Sequence, residues 1–163
     1  MIDQPTASQS VEIRWHTGAR EKLRPLFALA EDSPEQLETY LHLGRVLVAL
    51  EEGSMVGHLQ IVDSDTAGEI ELKSMAVVDQ RQRRGIGRAM VERAVAESRA
   101  DGARMMLVAT ATADTGNLRF YQRQGFRMLR IERDAFTTSG GYPDGLTLEG
   151  IPLRDRVWLT RPL

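Results

Sequence analysis

The sequence predicts an α/β domain built on a mixed central β-sheet flanked by helices, and three observations carry that prediction. Two apolar runs, Arg45 to Leu50 and Met55 to Val62, meet across Glu51-Glu52-Gly53-Ser54 as an antiparallel hairpin. A strand at 69–78, a helical apolar stripe at 86–100 and a strand from Arg104 to Thr110 then make a strand–helix–strand crossover, which pairs its strands in parallel. Finally, 163 residues without an internal repeat or linker are enough for one core, so residues 1–163 read as a single domain.

The elements follow in order. Residues 1–10 carry no apolar pattern and are expected to be flexible. A short strand is expected at Val11 to Trp15, then an amphipathic helix from Ala19 to Ala30 bent by Pro25. Ser33-Pro34 opens another helix, with Ser as N-cap and Pro at the first helical position, and Gly44 is expected to stop it. After the hairpin and the crossover, Asp101-Gly102 caps the long helix. A helix from Thr115 to Gln124, a strand from Phe126 to Ile131 and a closing strand at Arg156 to Leu159 complete the series. The turn-rich stretch at 137–146 reads as a mobile surface loop.

Composition excludes several function classes. A net charge of −2 and a pI near 5.9 give no general attraction to nucleic acid or an anionic membrane. With no cysteine there is no disulfide, thiolate metal site or acyl-cysteine route. His16, His42 and His58 lack metal-site spacing, so no metal is expected. The start of the chain resembles no signal peptide, and no run approaches a membrane span, which reads as a cytoplasmic protein.

Chemistry concentrates at Val77-Val78-Asp79-Gln80-Arg81-Gln82-Arg83-Arg84-Gly85-Ile86-Gly87-Arg88, where an apolar strand ends in an arginine-rich turn and a Gly-x-Gly step opens a helix. Glycine lets the backbone come close to a ligand, and the first N–H groups of a helix have no intrahelical partner, so the turn suits a phosphate anion. It is not a P-loop, because Arg88-Ala89 stand where Lys-Ser/Thr is required. Nor is it a dinucleotide fingerprint, because Met90 replaces the third glycine.

What fits is Gln/Arg-x-x-Gly-x-Gly/Ala at Gln82 to Gly87, followed downstream by Tyr121-Gln122-Arg123-Gln124-Gly125-Phe126. The pair of motifs resembles the Gcn5-related N-acetyltransferases (GNAT), in particular small bacterial stand-alone members, over roughly residues 11–131. The resemblance implies a GNAT-like mixed sheet with a splayed strand pair that binds acetyl-CoA. It implies pantetheine contacts at Met75, Ala76 and Val77, and pyrophosphate contacts at Arg83, Arg84, Gly85, Ile86, Gly87 and Arg88. The family often has Asn seven residues before the tyrosine; this chain has Asp114 there and Asn117 four before it, so the cofactor contact at this end is open between the two.

Direct acetyl transfer to an amine needs a base for the nucleophile and an acid for the departing thiolate. By the same resemblance Tyr121 is the acid, and Glu71 or Glu69 is the base, acting directly or through water. The expected activity is therefore an acetyl-CoA-dependent N-acetyltransferase whose partners are acetyl-CoA and a primary amine of a small molecule, peptide or protein. No nucleic acid or membrane partner is expected, and a homodimer is open. Two rivals stand beside it: a non-catalytic acyl-CoA-binding sensor module, and a different nucleotide-binding enzyme.

Overall fold

A computed structural model describes residues 10–163. Apart from Ser10, the expectation of a flexible segment at 1–10 falls outside the described residues. Among the described residues nine strands and four α-helices form: β1 (Glu12–Trp15), α1 (Arg24–Phe27), α2 (Pro34–Tyr40), β2 (Arg45–Glu51), β3 (Ser54–Asp63), β4 (Glu69–Val77), α3 (Ile86–Ala100), β5 (Met105–Ala111), α4 (Thr115–Arg123), β6 (Arg127–Glu132), β7 (Thr147–Leu148), β8 (Ile151–Pro152) and β9 (Arg156–Pro162). Seven of the strands make one sheet in the order β1-β2-β3-β4-β5-β9-β6, and β7 with β8 forms a separate small hairpin.

The sheet is mixed, as expected. β4 and β5 run parallel, and every other pairing in the sheet is antiparallel. The hairpin of β2 and β3 turns through Glu52 and Gly53, both left-handed at φ 50° and 80°, as a two-residue turn matching the strand twist requires. Apolar side chains fill both sides of the sheet. Met90, Val91 and Ala94 of α3 pack with Tyr121 of α4, Phe126 and the strand residues Leu59, Leu72, Val108 and Leu159. Leu23, Leu26 and Phe27 pack with Leu37, Tyr40 and Leu41 against Val46, Val48 and Leu50 on the other side.

The long helix expected at 19–30 does not form. In its place stand a single 3₁₀ turn at Arg20–Leu23 and the four-residue α1. Pro25 lies in the first turn of α1, where its missing N–H costs nothing, but its ring is incompatible with a helical turn running into it. Gly44 is not the helix stop either: α2 ends at Tyr40. Gly44 takes φ 56°, and a Cβ there would fall 1.9 Å from the Ile61 carbonyl oxygen, so glycine is required for close approach to β3.

The turn-rich composition of 137–146 predicts a surface loop, yet Tyr142 within it is buried with Ala111 and Leu153. The Gly140 carbonyl accepts from Ser33 Oγ at 2.9 Å, which ties the segment to the start of α2.

Candidate functional site

The turn between β4 and α3 has the geometry its sequence suggests. Gly85 sits before the helix at φ 83° and Arg83 is left-handed at φ 59°. The first backbone bond of α3 runs from the Ala89 N–H to the Gly85 carbonyl at 3.0 Å, so the N–H groups of Ile86, Gly87 and Arg88 have no backbone acceptor among the described residues. Three donors thus stand at the positive end of a 15-residue helix, an environment that favours an anion. The Ile86 side chain is buried in the core, so only its backbone can serve a ligand.

The four arginines of the turn are not equivalent. Arg81 Nε donates to the Glu51 carboxylate, and Arg84 Nη1 lies 3.3 Å from its other oxygen. Arg88 pairs with Glu92 one helical turn on, at 2.9 Å. Among the described residues Arg83 alone of the four has no ion pair. The Arg84 side chain, expected at the pyrophosphate, is thus committed to a buried carboxylate, although its backbone N–H stays in the turn.

Beside this turn the sheet opens. The parallel pairing of β4 with β5 covers Glu69 to Leu72 against Met105 to Val108 and then ends. At that point β4 carries a bulge: Gln60 opposes Ser74 and Ile61 opposes Leu72, leaving Lys73 as the extra residue. A bulge bends the strand and increases its twist, so Ser74 to Val77 diverge from Ala109 to Ala111. Met75, Ala76 and Val77 therefore keep β3 on one side and have no strand partner on the other, where the Val77 carbonyl accepts from Gln82 Nε2 at 3.0 Å, next to the free N–H groups of α3.

The second motif closes the wedge from the α4 side. Tyr121 is buried and makes edge contacts with the rings of Phe120, at 5.2 Å, and Phe126, at 5.7 Å. Burial, and secondarily the Asp114 charge, pushes the Tyr121 hydroxyl well above the ordinary phenol range, so it stays protonated. Gly125 turns left-handed at φ 85° and the Phe126 N–H closes back on the Tyr121 carbonyl at 3.1 Å, a helix stop that fixes both aromatics.

Asp114 and Asn117 now separate. The Asp114 carboxylate caps α4 by accepting from the Asn117 N–H at 2.8 Å. The Asn117 side-chain amide reaches Thr110 Oγ1, on the diverging part of β5, at 3.3 Å. The helix cap occupies one Asp114 oxygen, whereas the Asn117 side chain lies at the wedge itself.

The two carboxylates of β4 also separate. Glu71 lies at the last paired stretch before the bulge, 3.4 Å from Lys73 Nζ, and its side chain is 19% exposed. Glu69 is one pleat further from the wedge, opposite Met105, and lines a cavity of about 410 Å³ with Gly68, Ser98 and Gly102 at the far end of α3. The structure does not bring Glu69 to the wedge.

On the face of β4 away from α3, Ser74 bonds His58 Nε2 at 2.8 Å, and the His58 ring stacks on Phe27 at 4.2 Å. Burial pushes His58 down to about 3, so it is neutral. Lys73 lies 5.2 Å above the Tyr40 ring, whose hydroxyl donates to Glu31 at 3.0 Å.

Glu51 and Lys73 escape a reading of the sequence. Glu51 follows an apolar strand at a hairpin, where an acidic residue is ordinary, and only the pairing of β2 with β3 carries it to the arginine turn. Lys73 has a signal: it breaks the apolar alternation of β4 between Leu72 and Met75. Among the described residues, no group of three or more His, Asp or Glu lies close enough together to hold a metal, and no helix is long and apolar enough to cross a membrane.

Comparison with known proteins places this geometry. The profile of the Acetyltransferase (GNAT) family matches residues 13–126. The uncharacterized N-acetyltransferase YvbK of Bacillus subtilis is 26% identical over 151 residues, covering 93% of this chain and 96% of that protein. The structure of an IAA acetyltransferase from Bacillus cereus superposes with a TM-score of 0.85 at 30% identity, over 94% of this chain and all of the other. A GNAT family acetyltransferase from Elizabethkingia anophelis with acetyl-CoA bound gives 0.85 at 27% identity, over 94% and 98% of the two chains. With a profile spanning most of the chain, a wedge between two parallel strands and a helix start with free N–H groups beside it, this chain belongs to the GNAT family of acetyltransferases.

Proposed function

We propose that the chain transfers an acetyl group from acetyl-CoA directly to a primary amine of a small molecule or peptide. The observation that carries this reading is the β4 bulge at Lys73, which leaves a strand edge without a strand partner beside three free helix N–H groups, with the buried Tyr121 of α4 in the same core cluster as Met75 and Val77. The residues fit acetyl-CoA: the edge at Met75 to Val77 suits the amides of a pantetheine arm, and the start of α3 with Arg83 suits a pyrophosphate.

Acetyl-CoA supplies an activated thioester; the chain supplies position and protons. A backbone N–H of Met75 to Val77 polarises the carbonyl, in the manner of an oxyanion hole. Glu71 takes the proton of the attacking amine, directly or through water, and Lys73 holds the carboxylate in place. Tyr121 gives its hydroxyl proton to the departing thiolate. Glu69 does not take part, because it faces a separate cavity. Asn117 orients the wedge from α4, while Asp114 caps the helix.

A panel of primary amines incubated with acetyl-CoA, reading free thiol, tests the proposal. Amine-dependent release of thiol is expected. Thiol release that no amine accelerates, in a protein that binds acetyl-CoA, would refute transfer and leave the binding module.

A further inference from the structure

We propose that β6 pairs with β6 of a second copy of this chain, joining two seven-stranded sheets edge to edge across a two-fold axis between Leu129 and Arg130. β6 is the outermost strand of the sheet, with β9 as its one neighbour among the described residues. An open edge offers a row of unpaired backbone donors and acceptors. On this edge three large apolar side chains are out in solvent: Met128 and Leu129 are each 55% exposed and Ile131 is 54% exposed.

The order of residues says what covers Met128 and Ile131. Placing the axis between Leu129 and Arg130 sets Met128 against Ile131 of the second copy and Arg127 against Glu132 of the second copy. Met128 and Ile131 each meet an apolar side chain, Arg127 meets a carboxylate and Leu129 lies opposite Arg130, each twice by symmetry.

Such a register is impossible for a regular strand, because residues three apart lie on opposite faces and residues paired across an antiparallel ladder must share one. The bulge in β6 removes the conflict. Met128 opposes Leu159, Arg130 opposes Trp158 and Ile131 opposes Val157, so Leu129 is the extra residue. Met128 and Ile131 consequently share the face of buried Leu159 and Val157, while Arg127, Arg130 and Glu132 share the face of Trp158. Trp158 Nε1 donates to Glu132 at 3.1 Å and Arg130 stacks on the Trp158 ring at 4.8 Å, which orients the charged row before any partner arrives.

Light scattering on the full chain across a micromolar concentration series is the test. The expected species is a dimer of twice the 18.2 kDa protomer mass. Met128→Lys and Ile131→Glu, each alone, should weaken the dimer by about 10-fold or more, because each buries an unpaired charge against an apolar side chain in both symmetry-related pairs. The double substitution sets opposite charges across both pairs and should restore the dimer. Far-UV circular dichroism confirms folding, which these exposed positions should not disturb. A monomer at every concentration, a dimer indifferent to both single substitutions, or a folded double variant that stays monomeric each overturns the proposal.

Discussion

Glu51, the last residue of β2, accepts a hydrogen bond from Arg81 at the start of the turn that leads into α3, and the same carboxylate holds Arg84 at 3.3 Å. A buried acid thereby ties the approach to the helix to the end of β2. Glu51→Gln keeps the size and loses the charge. Hydrogen bonds to charged groups are worth enough that the dissociation constant for acetyl-CoA should rise about 10-fold, with kcat close to native. Calorimetric titration and steady-state kinetics together check the split; an equal fall in kcat would give Glu51 a different role.

Tyr121→Phe removes a hydroxyl and keeps the ring contacts with Phe120 and Phe126. Acetyl-CoA affinity should hold, while the single-turnover rate falls by roughly 100-fold if the phenol is the general acid. Because the hydroxyl ionises above the ordinary phenol range, the native rate should show no loss from tyrosine ionisation up to about pH 10. Quenched-flow measurements over a pH series decide both points.

At Gly87 a Cβ would lie 3.4 Å from the Phe120 ring, an ordinary contact, so Gly87→Ala should fold normally. Gly87→Val adds branched bulk in the first turn of α3 and should weaken acetyl-CoA binding far more than it lowers Tm. Normal acetyl-CoA binding by Gly87→Val would end the phosphate-cradle reading.

Coenzyme A should raise the melting temperature where NAD and ATP do not, since the turn lacks the third glycine of one fingerprint and the Lys-Ser/Thr of the other. At 100 times its Kd the gain is about 2.7 kcal/mol. Equal shifts with all three would point to a general nucleotide site.

His58 makes stability depend on acid. Burial holds it near 3 in the fold, against about 6.5 in an unfolded chain. Below pH 6.5 the unfolded state binds the extra proton, so stability is present above that value and is lost as pH falls toward 3, at up to about 1.4 kcal/mol per pH unit. His58→Gln should flatten this slope between about pH 6.5 and about pH 4 in urea titrations. An unchanged slope would assign the acid sensitivity elsewhere.

The parts of the site that can be read from sequence are those in which local chemistry and final position coincide. Gly85 and Gly125 are both left-handed at helix ends, as their neighbours suggest, and the hairpin glycine, Gly53, lies in the turn expected of it. The bulge at Lys73 and the clamp at Glu51 depend on which strands become neighbours, which no window of sequence contains. The failure at 19–30 has a local cause: Pro25 reads as a bend within one helix, but its ring ends one turn and starts another. Tyr142 in the turn-rich segment is invisible as a core residue because its burial depends on Ala111 and Leu153, distant in the chain.

Because β9 lies between β5 and β6, the sheet closes out of chain order. During synthesis β6 emerges before β9, its ladder partner, so the nascent chain carries an orphan strand until Arg156 and the residues after it leave the ribosome. Pairings of this kind close late and slowly, because the contacts are far apart in sequence. The half-made sheet presents Met128, Leu129 and Ile131 beside an empty slot flanked by β5. Premature termination between Glu132 and Arg156 should therefore yield a species that chaperones and proteases recognise, even though the wedge between β4 and β5 has by then been translated in full.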